Sequence, residues 1–248
     1  MPEILPGVHV VSLGQATGVP GGAMNGCLLV EGGQITAVDA GLPGDSTTIL
    51  DYVAGLGLMP QAVKRVIVTH HHLDHVGGLP ELVDRTGAEV WAHRDDAATI
   101  EGELPRPAIP AERIESMLAA VPAAQRDAAA ARWKQLSEAP SSRVDLRLVG
   151  DEELNVLGGV RVLHSPGHTP GHLCLYLPAL SLLIAGDLLR LTDGVIRESP
   201  SGFAADADQS LASARRIAQL GFHRFIGYHG GFVVDEAQRL LSDSLASS

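Results

Sequence analysis

A run of histidines directly after a strand-like apolar segment constrains the fold more than any other feature of this sequence. The apolar segment is VKRVIV at 63–68, and THHHLDH follows it at 69–75. The β-branched residues of the apolar segment predict a buried strand. Four of the chain's 11 histidines therefore lie within six residues, at the point where a strand ends. This clustering predicts a metal site, whereas a single histidine in that place is more typical of a solvated loop.

The spacing inside the run predicts which side chains lie together. Alternate side chains of an extended segment share one face. The donors predicted on that face, or at the turn that follows it, are His70, His72, Asp74 and His75. His71 faces the other way and is predicted to pack or to form a hydrogen bond. Imidazole nitrogens and carboxylate oxygens are the ligands that Zn²⁺ and similar ions take at catalytic sites.

Three later segments place further polar residues at predicted strand ends, where loops carry function. They are LHSPGHTPGH at 163–172, LLIAGD at 182–187 and YHGG at 228–231. The candidate ligands in these segments are His168, Asp187 and His229. Taken alone, Asp187 is equally typical of a helix N-cap, and His229 of a structural histidine. His172 is predicted to hold its loop, and Asp39 in VDAGL either hydrogen-bonds a ligating histidine or is a plain turn residue.

Together, four motifs resemble the metallo-β-lactamase superfamily of hydrolases. They are HxHxDH at 70–75, GHTPGH at 167–172, AGD at 185–187 and HGG at 229–231. The resemblance spans nearly the whole chain apart from 94–140. It implies an α/β fold, the four-layer αββα sandwich, with two metal ions at one edge between the sheets. The implied ligands are His70, His72 and His168 for the first ion, Asp74, His75 and His229 for the second, and Asp187 as a bridge between both.

The resemblance also implies the chemistry, which is hydrolysis of a small thioester, ester or lactone by a hydroxide shared between two divalent ions. Zinc is the expected metal, with iron or manganese as alternatives for the same ligands. Asp74 is the candidate catalytic residue, because its carboxylate can take part in proton transfer as well as ligation. A covalent serine route is disfavoured, because G-x-S-x-G does not occur in the chain.

Within the superfamily, THHHLDHVGG is most similar to glyoxalase II, and the acyl-homoserine lactonases share HxHxDH, GHTPGH and the bridging aspartate. Lactonases carry a tyrosine shortly after that aspartate, and the segment DLLRLTDG at 187–194 departs from this pattern. The alternatives that stay open are a mononuclear iron dioxygenase of the persulfide type and a lactam-cleaving, β-lactamase-like enzyme. A tRNA-processing nuclease needs a basic surface, and a non-catalytic binding member would have lost ligands, so both fit the sequence less well.

Composition and charge indicate the partners and the compartment. The net charge of −11 disfavours phosphate backbones, so we expect a small-molecule substrate and no nucleic-acid partner. No apolar run reaches the roughly 18 residues that cross a bilayer, and the first residues lack a signal-peptide pattern, so no membrane partner and a cytoplasmic location are expected. One domain is predicted over 1–248, with a proline-bounded helical insertion at about 94–140 that is a candidate roof of the pocket. The oligomeric state is left open.

Overall fold

The computed structural model describes residues 3–14, 24–107, 114–115, 118–119, 121–137 and 140–245. In chain order the strands are β1 (Glu3–Leu5), β2 (Val8–Leu13), β3 (Met24–Glu31), β4 (Gln34–Val38), β5 (Val63–Val68), β6 (Glu89–His93), β7 (Leu146–Leu148), β8 (Glu153–Leu154), β9 (Val160–His164), β10 (Leu173–Leu177), β11 (Leu182–Ile184), β12 (Leu189–Thr192), β13 (Val195–Glu198), β14 (Arg224–Gly227) and β15 (Gly231–Val233). The helices are α1 (Asp45–Gly55), α2 (Leu73–Val76), α3 (Leu79–Thr86), α4 (Arg94–Ile100), α5 (Arg126–Ser137), α6 (Ala207–Ala218) and α7 (Ala237–Leu245).

Two mixed sheets form the centre of the fold. The first has seven strands in the order β1-β2-β3-β4-β5-β6-β7, and the second has six in the order β15-β14-β11-β10-β9-β8. Strands β4 to β7 pair in parallel, and so do β11 and β14. Strands β12 and β13 form a separate antiparallel hairpin.

Alternation along the strands builds the layers. In β10, Leu173 and Leu175 pack with residues of the first sheet, whereas Cys174 packs with α6 and α7 on the opposite face. On the outer face of the first sheet, Ile49 of α1 and Leu82 of α3 join a third core cluster with strand residues. Each sheet therefore buries one face against the other sheet and one against helices, which is the predicted αββα sandwich.

The parallel strands bring several loops to one edge of the sandwich. The registers Val38↔Ile67 and Val68↔Ala92 place the ends of β4, β5 and β6 side by side. In the second sheet, the register Ile184↔Ile226 does the same for the ends of β11 and β14. The two sheets are joined at this edge, because the N–H of Leu173 donates to the carbonyl of Thr69 at 2.8 Å. The polar segments that follow these strands therefore converge.

Two local features were not predicted from the sequence. Helix α1 begins at Asp45 with Gly44 as its N-cap residue, and no side chain caps it. The carboxylate of Asp45 instead accepts hydrogen bonds from the N–H groups of Leu42 and Gly14, both at 2.9 Å. The β12–β13 hairpin was not predicted, although its turn residues Asp193 and Gly194, with φ of 52° and 75°, form the Asp-Gly pair typical of such turns.

The segment 94–140 connects the adjacent parallel strands β6 and β7, and its described part contains α4 and α5. Part of this segment, including Met117, lies outside the described residues. The single-domain boundary and the roof therefore remain predictions. Across the described ranges, no helix is both long and apolar enough to cross a bilayer.

Candidate metal centre

Three histidines from two loops point one nitrogen each at a common position. Nδ1 of His72 lies 3.0 Å from Nε2 of His70 and 3.1 Å from Nε2 of His168. His70 and His72 follow β5, and His168 lies in the loop between β9 and β10. His70 and His168 are buried, and His72 is partly exposed. We call these three side chains the first group.

A second group lies beside the first and combines two carboxylates with two imidazoles. Nε2 of His229 lies 3.3 Å from Oδ2 of Asp74 and 3.4 Å from Oδ2 of Asp187. Nε2 of His75 lies 3.5 Å from Oδ1 of Asp187. His75 and Asp187 are buried, whereas the side chains of Asp74 and His229 are 27% and 28% exposed. The second group is therefore open to solvent on the side of Asp74 and His229.

Asp187 lies between the two groups. Its Oδ2 is 3.6 Å from Nε2 of His168 in the first group, and both of its oxygens face histidines of the second. All seven residues predicted from the sequence as ligands are thus brought together at one edge of the sandwich. They lie as one set of three and a second set of three with Asp187 between them, and their roles as metal ligands remain a prediction.

Asp39 and Thr69 hold the histidines of both groups from behind. Oδ2 of Asp39 lies 2.8 Å from Nδ1 of His75 and accepts a hydrogen bond from the Thr69 hydroxyl at 2.8 Å. Nδ1 of His70 is 3.1 Å from the same hydroxyl. With Nδ1 of each ring donating to these oxygens, Nε2 faces the site and carries the lone pair whenever the ring is neutral. Of the two interpretations left open for Asp39, the hydrogen bond to a candidate ligand is the one found.

His172 fixes the backbone at Asp187. Nε2 of His172 accepts the N–H of Asp187 at 3.1 Å, so its proton is on Nδ1, which lies 2.8 Å from the Ser165 hydroxyl. Gly186 leaves room for this contact, because a Cβ at that position would lie 2.8 Å from Nε2 of His172. The predicted loop-holding role of His172 therefore takes the form of a hydrogen bond that aims the Asp187 side chain.

Tyr228 links the two halves of the second group. Its hydroxyl donates to the carbonyl oxygen of Asp74, and its ring lies over the ring of His75 with a centroid separation of 3.8 Å. Burial, followed by the nearby carboxylate of Asp74, raises the pKa of the phenol well above its usual range. Tyr228 therefore stays a neutral donor, and it ties the turn that carries Asp74 to the strand end that carries His229.

The surroundings of the first group favour neutral imidazole rings. Burial lowers the pKa of His70 well below its usual range, and it lowers that of His72 to about 3 and that of His168 to about 4. Neighbouring histidines lower the pKa of His70 and His72 further. At neutral pH these rings carry free lone pairs, which is the form that binds a metal ion.

The surroundings of the second group favour positively charged imidazole rings. Burial opposes protonation of His229, but the carboxylates of Asp187 and Asp74 outweigh it and raise the pKa of His229 to about 10. Burial likewise opposes protonation of His75, and Asp39 followed by Asp187 raises its pKa above the usual range. For Asp187, burial raises the pKa of the carboxyl, yet His229 and His75 lower it well below its usual range. The carboxylates therefore stay ionised and require a cation beside them.

The geometry fits a pair of metal ions. Nε2 of His75 and Oδ1 of Asp187 are buried and have no hydrogen-bond partner among the described residues, although both face the site. Tetrahedral Zn–N bonds of about 2.0–2.1 Å hold ligand atoms roughly 3.4 Å apart. Neighbouring donor atoms within the two groups are separated by 3.0–3.9 Å. Each group can therefore hold one ion, and Asp187 is placed to reach both.

A further cluster of His93, Asp95 and His164 has donor atoms within 4.8 Å of one another, but its nitrogens are already engaged. Nδ1 of His93 accepts the N–H of Asp95 at 3.2 Å, and Nε2 of His164 donates to the carbonyl of Pro170 at 2.8 Å. The rings of His93 and His164 are stacked at 4.0 Å with planes 11° apart. In-plane lone pairs of stacked rings do not converge, so this cluster is a packing feature.

The supporting residues Thr69, Asp96 and Tyr228 were missed by sequence reasoning. Thr69 and Tyr228 directly precede candidate ligands at strand ends, and that adjacency was a usable signal. Asp96 had none, because its partners His71 and Thr169 are 25 and 73 residues away in the chain.

Comparison with known proteins agrees with this geometry. Residues 22–229 match the family model described as the metallo-beta-lactamase superfamily. A hydroxyacylglutathione hydrolase from Dechloromonas aromatica is 29% identical over 192 residues, which cover 75% of this chain and 52% of that protein. A probable metallo-hydrolase from Bacillus subtilis is 24% identical over 207 residues, covering 78% of this chain and 74% of that protein.

Among solved structures, a metallo-beta-lactamase family protein from Thermus thermophilus superposes with a TM-score of 0.72 at 26% identity. The superposition covers 98% of this chain and 80% of the other. The chain spans about half the length of the hydroxyacylglutathione hydrolases that it matches, 52% of the one named above. Since the family model covers most of the chain, this protein belongs to the metallo-beta-lactamase superfamily, a superfamily of hydrolytic enzymes.

Proposed function

We propose that the protein is a binuclear metal-dependent hydrolase that cleaves a small thioester, ester or lactone. The observation that carries the proposal is the position of Asp187, whose carboxylate faces histidines of both groups at 3.4–3.6 Å. A carboxylate in that place would be within reach of both ions. A mononuclear iron site of two histidines and one carboxylate could use the same side chain, but it would not need Asp74, His75 and His229 as a second set of donors. This arrangement disfavours the mononuclear dioxygenase that the sequence left open.

In this proposal each of the two groups of residues binds one ion. His70, His72 and His168 would hold the first ion, Asp74, His75 and His229 would hold the second, and Asp187 would be within reach of both. Zinc suits the mixture of imidazole and carboxylate ligands, and iron or manganese is the alternative. When bound, the two ions supply Lewis-acid polarisation of a substrate carbonyl and a water of lowered pKa.

The exposure of the ligands indicates where the substrate enters. His70, His75, His168 and Asp187 are buried, whereas His72, Asp74 and His229 are partly exposed. A substrate carbonyl therefore approaches over the partly exposed side, which is formed by His72, Asp74 and His229. Asp74 is the carboxylate on that open side, so its Oδ1 or Oδ2 is placed to hold a proton that moves between water and the leaving group.

The substrate class follows from the chemistry and the relatives. Two metal ions with no nucleophilic serine motif suit an activated carbonyl that water attacks directly, as in thioesters, esters and lactones. Several relatives are named hydroxyacylglutathione hydrolases, which favours a thioester. A β-lactam is the second carbonyl class to test. The −11 net charge favours a small molecule over a nucleic acid as the partner.

A hydrolysis screen on metal-analysed protein tests the proposal. The protein is stripped with a chelator, reloaded with Zn²⁺, Fe²⁺ or Mn²⁺, and assayed on thioesters, esters, lactones and β-lactams. We expect close to two ions per chain and turnover of at least one of the first three classes. The stripped protein and the Asp187→Asn variant serve as controls. Saturation at one ion, together with oxygen consumption by the iron-loaded protein, would instead support the dioxygenase.

A further inference from the structure

The carboxylate of Asp96 binds both of the loops that supply the first group. Oδ2 of Asp96 accepts the N–H of His71 at 3.0 Å and the hydroxyl of Thr169 at 2.8 Å. Oδ1 accepts the N–H of Gly171 at 2.8 Å. His71 stands between His70 and His72 in the loop after β5. Thr169 follows His168 directly in the loop between β9 and β10.

The side chain of Asp96 is closely packed on all sides. Its side chain is 1% exposed, and Nδ1 of His71 lies 3.0 Å from Oδ2. A Cβ at Gly171 would lie 2.7 Å from Oδ1 of Asp96, so glycine is required there for the close approach. Burial raises the pKa of Asp96, but its contacts with His71 and its hydrogen bonds with Thr169 and Gly171 lower it below the usual value. The group is therefore an ionised, fully engaged acceptor.

Asp96 reaches both loops because of where its helix begins. Helix α4 starts directly after β6, the parallel neighbour of β5, so its first turn lies beside the loop that follows β5. The loop between β9 and β10 crosses from the second sheet to the same place. One side chain on a rigid element thus spans the gap between two loops that belong to different sheets.

We propose that Asp96 is a positioning residue that sets the spacing between His168 and the pair His70 and His72. The inference rests on the proposed function, in which these histidines bind the first ion. Asp96 touches neither ion nor substrate, and it acts through the backbone of the residues next to the ligands. The carboxylate is needed because its two oxygens serve three donors, whereas an amide would turn its NH₂ towards either Gly171 or the His71 and Thr169 pair.

The test is Asp96→Asn, with Asp95→Asn as the matched control. Asp95 is the preceding residue on the same turn, undergoes the same chemical change, and has a side chain that is 45% exposed. Titration against a competing chelator should show the first ion bound about 10–100-fold more weakly in Asp96→Asn. The Co²⁺-loaded variant should also show altered visible d–d bands, whereas Asp95→Asn should match the wild type in both measurements.

Hydrogen exchange on the metal-free protein separates this inference from the proposed function. In Asp96→Asn the amides of His71 and Gly171 should exchange at least about tenfold faster, because each loses its charged acceptor. If the wild type takes up no ion, the proposed function fails, and the exchange rates still decide whether Asp96 holds the two loops. Unchanged exchange at both amides overturns the inference. So does a lower melting temperature with wild-type ion affinity and an unchanged Co²⁺ spectrum.

A second variant covers the case in which Asp96→Asn does not fold. Thr169→Val keeps the shape of the side chain and removes only the hydroxyl that donates to Asp96. It should lower the affinity for the first ion, as Asp96→Asn does, but by only about two- to tenfold, which corresponds to the loss of one hydrogen bond. Wild-type affinity for both ions in this variant would overturn the inference.

Discussion

Replacing Asp39 by asparagine should lower the affinity for the second ion without disturbing the backbone. Asp39 has a positive φ of 63°, a conformation that asparagine tolerates as well as aspartate. Oδ1 of Asp39 accepts the N–H of Thr69 at 2.8 Å, and Oδ2 lies 2.8 Å from Nδ1 of His75. The asparagine amide has a single accepting oxygen, which cannot serve both the N–H of Thr69 and Nδ1 of His75. If that oxygen stays on Thr69, the NH₂ faces His75 and favours the tautomer with the proton on Nε2, the atom that would bind the ion.

The magnitude follows from the number of hydrogen bonds lost. One hydrogen bond between a charged acceptor and a buried ring is replaced, which costs about 1.5–3 kcal/mol. At about 1.4 kcal/mol per tenfold, this corresponds to roughly 10–150-fold in the affinity of the second ion. The loss agrees with the roughly 10–100-fold effect usual for partners of metal ligands. In a chain of this size the same free energy lowers the melting temperature by about 3–12 °C.

Chelator titration and thermal unfolding of Asp39→Asn measure both quantities. Asp51→Asn, an exposed aspartate on α1, is the matched control and should leave both unchanged. Binding of the first ion should be weakened less than that of the second in Asp39→Asn, because Asp39 reaches His70 only through the Thr69 hydroxyl. A variant that holds both ions with wild-type affinity would refute the reasoning about the His75 tautomer.

Further predictions concern the candidate bridging residue Asp187, the proton on His229, the β12–β13 hairpin and the segment 94–140. Asp187→Asn should retain the fold but lose the second ion and at least about tenfold in kcat, measured with metal content and melting temperature. Because the pKa of metal-free His229 is raised to about 10, ion uptake at neutral pH must displace its proton. Affinity for the second ion should therefore rise with pH up to that value, and calorimetry in buffers of different ionisation enthalpy should detect the release. Gly230→Ala should lower the melting temperature and the affinity for the second ion, since a Cβ there would collide with the carbonyl oxygen of Leu191 in the hairpin, at a φ of 92°. Trimming the part of the 94–140 segment that follows α4, which leaves Asp96 in place, should change KM and substrate preference more than kcat in a chain that still folds; an unchanged substrate profile would make this part a packing element.

The ligand positions could be predicted because each one follows an apolar strand closely. Strand ends at one edge of a sheet are fixed by hydrogen-bonded register, so Asp187 and His229 converge once β11 and β14 pair. The four layers were implied by the resemblance to the family, and the structure then shows that alternation along β10 assigns each side chain to a face. The strand ends depend on local apolar runs, which the sequence displays directly.

The supporting contacts could not be predicted, because they depend on where whole elements pack. Asp96 meets Thr169 only after α4 and a loop of the other sheet have been placed together, and nothing in the local sequence of either marks the pair. The β12–β13 hairpin is a different case. Its Asp193-Gly194 turn was visible, but the strands on either side are four residues each and carry arginines, so their periodicity was weak.

The charges of the site explain why the supporting network is so extensive. Asp39, Asp96 and Asp187 are buried carboxylates, and a buried charge without partners costs several kcal/mol. Asp39 and Asp96 are offset by hydrogen bonds from the backbone and side chains around them. Asp187 is not, because its Oδ1 has no hydrogen-bond partner among the described residues. In the metal-free protein, protons on His75 and His229 must supply the missing positive charge, as the raised pKa values of both indicate. The network therefore holds fixed a set of donors that only cations complete, and under the proposed function the ions that replace those protons would contribute to folding as well as to catalysis.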